Sequence, residues 1–159
     1  SRVNPVSLPC FNFTIPESTG VVAAIAPDDS SLLGLVSIIA PVIAGGNSIV
    51  ILASESFPLC SISFAEVLQT SDVPGGVVNI LTGYRKELLE HFSSHMDVNA
   101  IIYCGDNTDD QKLVETNAAL NVKHVILFPN QDWSKDQHES PYHILKCQET
   151  KTTWHPIGV

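Results

Sequence analysis

Residues 20–59 read GVVAAIAPDDSSLLGLVSIIAPVIAGGNSIVILASESFPL, and the fold follows from that stretch. Gly20-Val-Val-Ala-Ala-Ile-Ala26 is a short apolar run closed by Pro27 and the turn-forming Asp28-Asp29-Ser30. Its length and lack of alternation predict a strand buried on both faces. In residues 31–44, Leu32, Val36, Ile39 and Ile43 fall at helical spacing and Leu33, Leu35, Ile38 and Val42 fill the flanks, which predicts a helix apolar nearly all round. Gly45-Gly46-Asn47 stops it, and Ser48-Ile-Val-Ile-Leu52 is a second buried strand. Two parallel strands joined by a helix form a βαβ unit with a right-handed crossover.

The pattern continues outward from that unit. Leu59, Ile62, Ala65 and Leu68 give a second helix its apolar stripe, broken by Asp72-Val-Pro-Gly-Gly76. Val77-Val-Asn-Ile-Leu81 is a third strand, and the helix over 85–92 turns Leu88, Leu89 and Phe92 inward. Ala100-Ile-Ile-Tyr-Cys104 is a fourth strand. The helix over 108–120 is expected to bury Leu113, Asn117 and Leu120 beside Val114 and Ala118, and His124-Val-Ile-Leu-Phe128 is a fifth strand. The fold class predicted is α/β, an open parallel five-stranded Rossmann-like sheet with helices on both faces.

The two ends differ from this body. Phe11-Asn-Phe-Thr-Ile15 alternates apolar and polar residues in an N-terminal arm, residues 1–19. Beyond the body, residues 20–128, a polar loop at 129–141 leads to two β-prone segments, 142–147 and 150–157. These are expected to leave the parallel sheet and pair with the N-terminal arm or with another chain.

Composition excludes some partners. The net charge of -9 opposes nucleic acid and anionic membranes, which would repel the domain's field. No apolar run reaches the roughly 20 residues that span a bilayer. Cys10, Cys60, Cys104 and Cys147 form no C-x-x-C pair, so reduced thiols in a cytoplasmic protein are expected. His91 and His95 lack a third ligand, and His138-Glu139-Ser-Pro-Tyr-His143 has the wrong spacing for a zinc helix, so no metal site is expected.

An ordered set of short stretches resembles the aldehyde dehydrogenase superfamily. It comprises Gly20-Val21-Val22 with Pro27, Ala44-Gly-Gly-Asn47, Ser54-Glu55, Pro58-Leu59, Pro74-Gly-Gly-Val-Val-Asn-Ile-Leu-Thr-Gly83, His95-Met-Asp-Val98 and Gly105. These resemble the cofactor-binding half, and Glu149-Thr-Lys-Thr-Thr153 resembles the strand that closes the oligomerisation flap. With only 129–148 between them, a catalytic domain has no room, and the arrangement is most like the truncated C-terminal module of family 16 aldehyde dehydrogenases.

The resemblance implies NAD chemistry built on a nucleophilic cysteine, an oxyanion donor, a general base and a dinucleotide pocket. No cysteine here matches the nucleophile. The family's Pro-Trp-Asn stands as Pro27-Asp28-Asp29, and an ionised aspartate cannot donate to an oxyanion. Phe128 occupies the position of the general-base glutamate. Of Lys-Pro-Ser-Glu, which holds the adenosine ribose, Leu52-Ala53-Ser54-Glu55 keeps the Ser-Glu pair, of which only Glu55 is a ribose contact. The pyrophosphate turn Gly-Ser-Thr-x-x-Gly reads Gly105-Asp106-Asn107-Thr108-Asp109-Asp110. A helix terminus contributes about 0.3 to 1 kcal/mol to a nearby anion. Like charges about 4 Å apart repel by around 4 kcal/mol at an effective dielectric of 20. The acidic and amide side chains should therefore cap the helix instead of yielding to phosphate.

The expectation is a non-catalytic aldehyde-dehydrogenase-like module with a structural or assembly role in a longer protein, carrying no cofactor and no catalytic residue. Glu55 and Gly105 remain as vestigial cofactor-binding positions. Its partners would be its own chain type or the rest of a longer aldehyde dehydrogenase, met through the terminal β segments. The alternatives are an NAD-binding part of an active NAD-dependent aldehyde dehydrogenase, and a surface for some other protein.

Overall fold

Residues 2–7, 9–136 and 140–157 are described by the structure, a computed structural model. The chain runs β1 (Arg2–Asn4), β2 (Cys10–Ser18), β3 (Val21–Ile25), α1 (Leu33–Ala44), β4 (Ser48–Leu52), α2 (Leu59–Gln69), β5 (Val78–Leu81) and α3 (Arg85–Ser94). It continues through β6 (Ala100–Cys104), α4 (Thr108–Leu120), β7 (His124–Phe128), α5 (Tyr142–Lys146) and β8 (Gln148–Pro156). Five strands form an all-parallel sheet in the order β5-β4-β3-β6-β7. The connection reverses direction between β3 and β6, and crevices at such switch points hold ligands in open α/β sheets.

Side-chain alternation along β3 divides the core. Val22 and Ala24 face α1, packing with Leu35, Ile38, Ile39 and Val42. Ala23 and Ile25 face the opposite layer, with Leu89 and Phe92 of α3 and Val114 and Ala118 of α4. Helices therefore cover both faces, as expected from strands without polar alternation.

Several helix faces differ from the expectation. In α1 the buried stripe is Leu35, Ile38, Ile39 and Val42, while Leu32 and Leu33 are exposed, because an all-apolar helix has no pattern to set its rotation and the sheet decides it. In α2 Leu59 and Ile62 are exposed and Ser61 is buried, with Phe64, Ala65 and Leu68 half-buried. The sheet here ends in a four-residue edge strand, β5, which offers little surface to cover. In α4 Leu113 and Leu120 are exposed and Asn117 half-buried; only Val114 and Ala118 are buried, since small residues set the close approach to the sheet.

The termini form a second sheet, antiparallel, in the order β1-β2-β8. β8 pairs with the N-terminal arm over its full length, from Cys10↔Pro156 to Ser18↔Gln148. Residues 142–146, expected to be β-prone, are instead helix α5. Pro141 can open a helix, and the segment packs against α1 and Phe128, where His143 sits edge-on 5.2 Å from the Phe128 ring. The His138 and Glu139 of the rejected zinc pattern lie outside the described residues.

Asn47 couples the two sheets. It is 3 % exposed, accepts from the Gly20 N–H at 2.8 Å, and donates to the carbonyls of Val42 at 3.3 Å and Cys147 at 2.8 Å. One side chain thus ties the start of β3, the end of α1 and the entry to β8.

Candidate functional site

The switch point opens on a cleft of about 640 Å³ at the C-terminal ends of β3 and β6. Asp28, Asp29, Asp106 and Asp132 line it, and Arg85 is its only basic lining residue among those described. The turn after β3 cannot continue the strand because of Pro27, so Asp28 and Asp29 project over the sheet edge.

Asp28 is fully engaged. Its Oδ1 accepts from the Glu55 N–H at 2.8 Å and from the Ser54 hydroxyl at 3.2 Å. Its Oδ2 meets the Arg85 guanidinium at 3.2 Å, with side chains 21 % and 41 % exposed for Arg85 and Asp28. Arg85 also donates to the Ala26 carbonyl at 3.4 Å and lies 5.7 Å over the Tyr103 ring. This partly shielded pair is geometrically fixed by its neighbours, unlike an isolated surface pair.

Glu55, the carboxylate kept from the cofactor pattern, stands at the end of β4. Its Oε2 accepts from the backbone N–H of Arg85 at 3.0 Å, satisfying one of the free donors at the start of α3. Gly105 follows β6 and faces the same cluster. A Cβ there would come within 3.0 Å of the Tyr103 hydroxyl and 3.3 Å of the Arg85 guanidinium. Within this chain the glycine is needed for close packing against its own side chains.

The start of α4 is capped as the sequence predicts. Asn107, in an extended conformation, accepts from the N–H groups of Asp109 at 2.9 Å and Asp110 at 3.3 Å. Asp110 in turn accepts from the Tyr103 hydroxyl at 2.9 Å, and Asp106 from the Asn130 N–H. Burial, reinforced by donation to Asp110, pushes the Tyr103 phenol up to about 12. Burial likewise holds the Cys104 thiol far above its ordinary range, so it stays protonated and cannot serve as a nucleophile. Hydrogen bonds from Ser134 and Lys135 hold Asp132 down at about 2.

Two residues of this network escaped the sequence reading, Arg85 and Tyr103. One signal was available. Arg85 is the first residue of α3, where the macrodipole opposes a cation, so an arginine there calls for an acidic partner elsewhere. His91 and His95 remain on an exposed surface; no group of three metal-ligating side chains occurs among the described residues. No helix among them is long and apolar enough to cross a membrane.

The aldehyde dehydrogenase family model matches residues 2–128. An aldehyde dehydrogenase of Agaricus bisporus is 37% identical over 111 residues, 70% of this chain and 22% of that protein. The NADP/NAD-dependent aldehyde dehydrogenase PuuC of Escherichia coli is 34% identical over 113 residues, 71% of this chain and 23% of its own length. Among solved structures, a betaine aldehyde dehydrogenase point mutant of Staphylococcus aureus, in complex with NAD+, superposes with a TM-score of 0.74 at 30% identity. The match covers 79% of this chain and 25% of that one. The chain therefore spans under a quarter of the length of these two curated relatives.

Proposed function

This chain belongs to the aldehyde dehydrogenase family, and from that premise we propose that it is a non-catalytic module with an assembly role in a longer protein of that family. The observation that carries the reading is the engagement of Glu55. Its carboxylate caps α3, while Arg85 and Asp28 close on one another beside it. A ribose hydroxyl would find only Oε1 of that carboxylate free of the α3 cap, and a pyrophosphate would face Asp29 and Asp106, with Arg85 already paired to Asp28. Repulsion of around 4 kcal/mol per close pair exceeds the helix-terminus contribution of about 0.3 to 1 kcal/mol.

The finer placement is with the truncated C-terminal modules of family 16 aldehyde dehydrogenases. No group is required in the cleft, and the setting is cytoplasmic, in keeping with four unpaired thiols. The terminal sheet is the assembly element, meeting a second copy or the rest of a longer chain.

A second reading has its own support. The cleft sits at the switch point and Glu55 is present, so the chain would be the NAD-binding part of an active enzyme. Titration calorimetry with NAD separates the two. The first reading expects no heat of binding up to millimolar NAD; micromolar binding abolished by Glu55→Ala would replace it with the second.

A further inference from the structure

Arg85 lies across the switch point itself. Its guanidinium reaches Asp28 Oδ2 at 3.2 Å and the Ala26 carbonyl at 3.4 Å, both just past the end of β3, and stands 5.7 Å over the ring of Tyr103 in β6. Gly105 leaves it room, since a Cβ there would come within 3.3 Å of the guanidinium. The crevice between β3 and β6, where open α/β sheets receive their ligands, thus holds a side chain of the protein itself.

The groups that meet the guanidinium all accept. Asp28 supplies a carboxylate oxygen, Ala26 a carbonyl, and Tyr103 the negative face of its ring, which attracts a cation within about 6 Å. None of them offers a hydrogen to an anion. Nor do they depend on the arginine side chain for their positions. The other oxygen of Asp28 is held by the Glu55 N–H at 2.8 Å and the Ser54 hydroxyl at 3.2 Å. Tyr103 is fully buried and its hydroxyl donates to Asp110 at 2.9 Å, while the Ala26 N–H donates to the Leu52 carbonyl at 2.9 Å. A recess whose walls are fixed by other bonds binds its occupant at low ordering cost.

We propose that the switch-point crevice is a receptor for a planar cation of the guanidinium or amidinium class, and that Arg85 is its built-in occupant. This deepens the non-catalytic reading above, and rests on it, by naming the ligand chemistry the cleft has in place of a dinucleotide's phosphates. A flat cation lies over the Tyr103 ring while its edge meets Asp28 and Ala26; an ammonium is a compact, strongly hydrated point charge without that match. With the arginine side chain removed, the recess takes up the free cation.

Chemical rescue of the full chain tests this. Arg85→Ala keeps the backbone N–H bound by Glu55 and removes the side-chain atoms that ethylguanidinium carries. At pH 7 and constant ionic strength, the Tm of this variant should rise and level off with ethylguanidinium at about 1 to 10 mM, in line with what so small a ligand gains per atom. Ethylurea, neutral and of the same shape, and ethylammonium should leave it unmoved. The unaltered chain should not respond, and Asp28→Asn in the Arg85→Ala background should abolish the response. No saturable rise, an equal rise with ethylurea, with ethylammonium or in the unaltered chain, or a rise that survives Asp28→Asn would each overturn the receptor. A second measurement needs no substitution at Arg85. Arg2 and Arg85 are the two arginines of the sequence, and in nitrogen-correlated NMR the Nη hydrogens of Arg85 should give separate resonances while those of the exposed Arg2 average, with Arg2→Lys making the assignment. Averaged signals from both would overturn the seating of the guanidinium. NAD calorimetry on the unaltered chain is independent: binding would overturn the non-catalytic reading whatever the rescue shows, and failed rescue without NAD binding overturns the receptor alone.

Discussion

Tyr103 is fully buried at the end of β6, and its hydroxyl is held by Asp110 while its ring lies under Arg85. Its phenol is raised to about 12 in the folded state, against about 10 unfolded. A raised value favours the protonated form on folding, so the associated stability is complete below pH 10 and is lost as pH rises through 12. Urea unfolding should show a loss of the order of 2 kcal/mol across that window, and Tyr103→Phe should flatten the tyrosine-dependent part of it. Spectrophotometric titration near 295 nm should show the last phenol to ionise disappearing in the same variant. Retention of that late step in Tyr103→Phe would contradict the assignment.

At the scale of elements, the junction between the sheets depends on one amide. Asn47 satisfies Gly20, Val42 and Cys147 while almost fully buried, and Asn47→Ala would orphan the Gly20 N–H and take one donor each from the Val42 and Cys147 carbonyls, which keep the Asn47 and Thr19 backbone N–H groups. The expected cost is about 1 to 3 kcal/mol in denaturant unfolding, the cost of the one orphaned N–H. Hydrogen exchange should report where the loss falls. Residues 148–156 should open before β3 and β6, which are held by both core layers; uniform loss of protection would mean that arm and body unfold as one. α2 and α5 teach the complementary lesson. Their partners fix them: α2 lies beside a short edge strand that leaves Leu59 and Ile62 exposed, and α5 forms because Pro141 and the Phe128 surface favour a turn of helix over a strand.

Across the whole molecule, burial sorts the thiols. Cys60 is exposed and Cys10 intermediate, whereas Cys104 and Cys147 are buried, and burial raises both of these thiols, Cys147 to about 11. With a thiol-reactive disulfide reagent at pH 8, Cys60 should react first, and Cys104 and Cys147 only at the rate of unfolding. Rapid labelling of Cys104 would mean that the switch-point cleft opens in the native state.

Sequence by itself determined the parallel sheet, because Val22 to Ile25, Ile49 to Leu52 and Ala100 to Cys104 are unbroken apolar runs that only a doubly covered sheet can bury. It determined the Asn107 cap, since the interaction is local to the helix start. It also gave Glu55 and Gly105 their places at the ends of strands. Only the tertiary structure decided what those two positions do, because Glu55 meets Arg85 thirty residues on and Gly105 is brought close to the Arg85 guanidinium of α3. It also decided that β8 pairs with β2, where the sequence left the N-terminal arm and another chain as alternatives. Contacts between neighbours in sequence are written in residue order; contacts between distant segments depend on which surfaces the finished core leaves to be matched.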